Sequence, residues 1–212
     1  MAADKDDAST DIEALTKAFA VDMTAACVTL RKSRLEAIKK AGDKSGKKDP
    51  KKLAEPPVVT FVFDPNPATK GRTPTEQAEQ VVAGRSWVCW GAHMADKARH
   101  VLMKADGKVV WDAKKTMDDD FDAFKKKWAD AMKSQGLKNA KGQDGWYDGD
   151  AFHLEMADSK IAKTDERVKA CLDEYARLSR KENKGKNEKF EKDYAALLKP
   201  YLAKYEPAEA KK

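Results

Sequence analysis

An α+β fold is predicted, on three observations. An aromatic and β-branched island spans residues 56–111, with Val58–Phe63, Trp87–Trp90 and Val109–Trp111 as its dense parts. Amphipathic stretches of helical period lie on both sides of it. Asp106-Gly107 sits between two short apolar runs, which is the signature of a tight β-hairpin. The expected architecture is a small, mostly antiparallel sheet from about residues 58–112, packed with a long N-terminal helix, a central helix and a C-terminal helical hairpin.

The elements follow in order. Ile12, Leu15, Phe19, Met23, Cys27, Leu30 and Ile38 recur near helical spacing, so a helix is predicted over about 11–41. Thr10 with Glu13 forms the expected capping box, and Gly42 the stop. Residues 42–57 read as a lysine-rich linker with almost nothing apolar to bury. Val58–Phe63 reads as a buried strand, ended by Asp64-Pro65-Asn66-Pro67. Thr73-Pro74-Thr75-Glu76 opens a short helix running to about Ala83.

Trp87–Lys104 admits two readings. One is a strand pair, Trp87–Ala92 and His100–Lys104. The other is a helix with Trp90, Met94, Ala98, Val101 and Ala105 on one side. Periodicity does not separate them, but Leu102–Trp111 favours a strand for the two hairpin arms. Phe121, Phe124, Trp128 and Met132 form the stripe of a helix over 118–135, stopped by Gly136. A loop at 142–150 and a short strand or turn at 151–156 follow. The last part reads as two helices joined at Asn183–Asn187, with a kink at Pro200 in the second. By segment this gives an N-terminal helix (1–41), a linker (42–57), an α+β core (58–156), a helical hairpin (157–206) and a tail (207–212).

Composition narrows the classes. The chain is 37% charged and 41% hydrophobic, with 42 basic and 36 acidic residues. Five Trp, five Tyr and seven Phe argue for a folded core despite a mean hydropathy of -0.77. Residues 1–11 are acidic where a secretory signal would be basic and then apolar. No apolar run approaches the roughly 18 residues needed to span a bilayer. The three cysteines, Cys27, Cys89 and Cys171, are odd in number and far apart, which favours free buried thiols. A cytoplasmic protein without membrane insertion is the expectation.

The leading functional expectation is a non-catalytic binding, adaptor or assembly protein acting through amphipathic helices. A protein partner, self-association included, would meet Tyr194, Leu198, Tyr201 and Tyr205, whose amphipathic rings suit interfaces. No cofactor is needed for this.

The alternative is a cysteine-dependent hydrolase. A thiol at Cys89, placed at a helix start, would be acidified, His153 would take its proton, and Asp158 would orient the ring. The order Cys, His, acid, with Trp90 after the cysteine, resembles that of papain-like cysteine hydrolases. The glycine-rich approach of that family is missing, and Gln77 and Gln80 are the upstream glutamines available.

Two further readings use charge. Lys39–Lys52 sets seven lysines against two aspartates, and Arg177–Lys192 sets seven basic residues against three glutamates. Nucleic acid would meet Lys44, Lys47, Lys48, Lys51, Lys52, Lys184 and Lys186, with Trp146 and Tyr147 as stacking groups. The pI of about 9.0 and the interspersed acids favour solvated faces instead. A metal reading uses Cys89, His93 and His100, or a loop that resembles an EF-hand. Counted from Asp144, Asp148 and Glu155 fall at its fifth and twelfth positions and Gly149 at its sixth, with Asp150 as a further oxygen donor. Calcium is the ion this implies. Trp146 stands where the third position needs a ligand.

Overall fold

The computed structural model describes residues 11–45 (side chains to 41), 55–66, 71–159 and 161–205. It has the mixed α+β character expected. The chain forms two units, residues 1–65 with 99–157 and residues 66–98 with 158–212. The segment 58–156 therefore contributes to both.

The first unit is built on helix α1 (Ile12–Ser45) and a five-stranded sheet. Ile12, Thr16, Phe19, Met23 and Cys27 make one buried stripe along α1, the spacing read from the sequence. Asp11 caps the helix by accepting from the Glu13 amide at 2.9 Å; the box expected from Thr10 lies outside the described residues. The helix passes Gly42 and ends at Ser45. Glycine costs a helix about 1 kcal/mol, too little to end one by itself.

Strand β1 (Val59–Phe63) pairs antiparallel with β2 (Ala98–Ala105), Phe61 opposite Met103. Strand β3 (Lys108–Val110) returns against β2. The turn between β2 and β3 holds Asp106 at φ 48° and Gly107 at φ 79°. Two successive positive φ values define the tight turn whose twist suits a hairpin, and glycine takes the second without strain. A short helix, α3 (Ala113–Met117), capped by Asp112, and a 3₁₀ turn over Asp118–Asp120 lead into α4 (Phe121–Ser134). Two short strands complete the sheet, β4 (Leu137–Lys138) and β5 (His153–Met156), in the order β1-β2-β5-β4. The sheet thus draws on residues well beyond 112. Phe19, Phe61, Phe124, Trp128, Trp146 and Phe152 form an aromatic core, with Trp128 1% exposed and Phe19 4.7 Å from it edge to face.

The second unit holds α2 (Pro74–Val82), α5 (Glu166–Ala176), a π-turn over Arg177–Lys181, α6 (Glu188–Asp193) and α7 (Ala195–Tyr205). Thr73 and Glu76 form a reciprocal capping box on α2. Residues 83–97 are turns and bends, so the helix reading and the strand reading of Trp87–Ala92 fail, while β2 bears out the strand read over His100–Lys104. The predicted kink at Pro200 is instead a break at Tyr194, where φ is -126°. Pro200 is accommodated within α7. Ala78, Val81, Cys89, Val168, Cys171, Leu172, Tyr175, Phe190 and Leu198 form this unit's core. Among the described residues no helix is long and apolar enough to cross a membrane.

Candidate functional site

The first unit brings His100, His153, Asp150 and Glu155 together. In β5, Leu154 is fully buried in the aromatic core beside Phe152, and period-2 alternation turns His153 and Glu155 to the other face. In β2, Val101 and Met103 face that core and His100 lies between extended neighbours. The backbone fixes the two histidines. His100 O accepts from Asp64 N at 3.0 Å, and Val101 N donates to Phe152 O at 3.1 Å. Adjacent strands thereby bring together rings from positions 53 residues apart.

The geometry is tight. His100 Nε2 lies 3.2 Å from His153 Nδ1, and the ring centroids are 5.2 Å apart. His153 Nε2 lies 3.3 Å from Glu155 Oε2. A carboxylate only accepts, so His153 Nε2 is the donor in that contact, and Nδ1 is the nitrogen that faces His100 Nε2. Asp150, at the end of the 3₁₀ turn Asp148–Asp150, completes the group. Its Oδ1 is 3.9 Å from His100 Nε2 and its Oδ2 3.7 Å from His153 Nδ1. The side chain of His153 is 7% exposed and that of Glu155 10%, against 48% for Asp150. Asp150 is the solvent side of the cluster.

This arrangement divides the expected calcium loop. Asp144 pairs with Lys138 Nζ at 2.9 Å, and Asp148 accepts from Trp146 Nε1 at 2.7 Å. Asp150 and Glu155 serve the histidines. Lys138 and Trp146 are the competing partners that loop counting did not anticipate. Of Cys89, His93 and His100, the first two belong to the second unit and the third to the first.

The thiols have a different environment. Cys89 is fully buried among apolar side chains of the second core, in a turn instead of at a helix start. Its neighbour is Cys171, whose thiol is pushed far up by the hydrogen bond with Cys89 and by burial. Burial likewise pushes Cys27 up to about 12. These are inert packed thiols. Asp158 accepts from Lys97 at 2.5 Å, which holds it below the usual carboxylate range; the carboxylate that orients His153 is Glu155.

Leu198 is fully buried, Tyr194 stacks edge to face on Trp90 at 4.8 Å, and Tyr205 donates to Asp173 at 3.1 Å. Tyr201 is half-buried against the same core, with Lys204 Nζ 5.6 Å from its ring. The aromatic seam of the last helices packs on its own unit. Lys184 and Lys186 pair with Glu182 and Glu188. The side chains of Lys44, Lys47, Lys48, Lys51 and Lys52 lie outside the described part. Trp146 is held in the aromatic core, and Tyr147 carries Lys141 Nζ 4.3 Å over its ring.

An apolar groove also occurs at the hairpin. Trp111 is 69% exposed, Val58 45% and Val109 43%. Trp111 and Val109, with Pro57, Ala105 and Val110, line a groove of about 530 Å³ that also meets Asp112, Lys115 and Thr116. The sequence places Val58, Val109 and Trp111 in the core island, and their exposure departs from that expectation. Comparison with protein-family models, characterised proteins and solved structures finds no match to this chain.

Proposed function

We propose that this chain is a non-catalytic binding protein that holds an extended segment of a partner protein against the Trp111 groove. The supporting observation is the exposure of Trp111 and Val109, which line one groove. Contiguous exposed apolar surface of this kind marks interaction sites. The Trp111 ring also rests 6.1 Å from Phe152, edge to face, so it stands as a pre-oriented anchor.

An extended occupant fits the backbone. Among the described strands β3 pairs with β2 alone, so its other edge has peptide groups to offer to an added strand. Alternate apolar side chains of such a strand would meet Trp111 and Val109. Lys108, Lys114 and Lys115 are exposed nearby. Asp106 and Asp112 are engaged locally, Asp106 with the Val58 amide and Asp112 with the Lys115 amide. Three exposed lysines stand against these two carboxylates, and that excess favours acidic residues flanking the apolar ones.

Selection from a displayed random-peptide library tests this. The wild-type chain should enrich peptides with apolar residues at alternate positions and acidic flanks. Trp111→Ala, a change at an exposed position, should bind them at least about tenfold more weakly, the scale of a lost aromatic anchor. Equal binding by both chains would refute the proposal, as would dimerisation of the wild type that disappears in the variant.

A further inference from the structure

We propose that His100, His153 and Asp150 form a binding site for a first-row divalent transition metal of the zinc class, with Glu155 as the outer partner of His153. The proposal is independent of the Trp111 groove.

Spacing supports it first. Two atoms about 2.0–2.1 Å from a tetrahedral ion stand roughly 3.3 Å apart. The two facing nitrogens are separated by 3.2 Å, and Asp150 oxygens stand 3.7 and 3.9 Å from them. An ion seated between the three groups needs only a small approach of Asp150, whose half-exposed side chain is on a turn. The rings are carried by β2 and β5, and the proton shared between the two facing nitrogens is released to solvent as the ion binds.

Donor chemistry decides the class. Two imidazoles and one carboxylate suit zinc, iron or cobalt; magnesium and calcium prefer oxygen donors throughout. Three protein ligands also leave a coordination position for water or a small anion.

The outer contact is the third support. A metal-binding imidazole nearly always donates its other N–H to a carboxylate or carbonyl, which fixes the tautomer and raises basicity. His153 does this with Glu155, buried at 8% exposure. Glu155 is itself held on a strand, with Lys138 opposite it in β4. The pair His153-x-Glu155 thus acts as one unit, its outer nitrogen committed and its inner nitrogen aimed at His100.

Isothermal titration of the tag-free, full-length chain with Zn²⁺ tests the site. One ion should bind per chain. His100→Ala and His153→Ala should each weaken binding at least about 100-fold, and Glu155→Gln about 10- to 100-fold through the lost outer contact. Asp150→Ala should weaken it at least about tenfold while leaving the far-ultraviolet circular dichroism unchanged, because Asp150 is half-exposed. Absence of stoichiometric binding overturns the proposal. So does wild-type affinity in either His100→Ala or Asp150→Ala.

Discussion

The amide of Phe61 donates to Thr24 Oγ1 at 2.8 Å, while the same hydroxyl donates to Ala20 O at 2.8 Å. A side chain of α1 thereby satisfies a strand amide on β1, whose ladder partner is β2 on the other side. Sheet edges need such cover to avoid wrong pairing. Thr24→Val keeps the shape and removes the oxygen, leaving the Phe61 amide unmet. We expect a loss of about 1–3 kcal/mol, the cost of one unsatisfied buried donor. Denaturant unfolding checks this, and Thr24→Ser should recover most of the loss. A Thr24→Val chain as stable as the wild type would contradict the role given to this contact.

Asn187 plays the corresponding role in the second unit. Its Nδ2 donates to Val81 O at 3.0 Å, its Oδ1 accepts from Phe190 N at 3.0 Å, and its backbone amide donates to Tyr175 Oη at 3.0 Å. One side chain therefore caps α6 and ties it to α2. Asn187→Ala should cost about 2 kcal/mol, combining a lost cap with the lost side-chain hydrogen bond to Val81 O, which keeps its bond from Gly84 N. Tyr175→Phe should cost about 1 kcal/mol or somewhat more, since it removes the hydroxyl shared with Glu191. Thermal unfolding of the two variants should rank them in that order.

The three cysteines should be silent in the native chain. Cys27, Cys89 and Cys171 are all buried. A chromogenic disulfide reagent should find no fast-reacting thiol until denaturant is added, when all three should titrate. Fast modification of Cys89 in the native chain would restore it as a nucleophile candidate.

Local chemistry was readable wherever the residues themselves dictate the backbone. Asp106-Gly107 names its turn because few residues tolerate two positive φ values in succession. Thr73 and Glu76 name a helix start, and Phe124, Trp128 and Met132 name a buried face. Residues 87–97 resisted because their aromatics follow no period, and here they anchor turns. Strand β4 has two residues, below what alternation can register. The break at Tyr194 was hidden because proline at 200 offers the stronger local signal, and tertiary packing decided otherwise. The histidine cluster was half legible. His153 and Glu155 share a strand face by simple alternation, but only the pairing of β2 with β5 brings His100 to them.

The metal site is the claim with the most chemistry in it, and zinc-edge X-ray absorption on the loaded chain tests it most directly. The account predicts nitrogen and oxygen scatterers at about 2.0–2.1 Å with the multiple-scattering pattern of imidazole, lost in the His100→Ala, His153→Ala double variant. A sulfur shell at about 2.3 Å, or a first shell without imidazole, would contradict it.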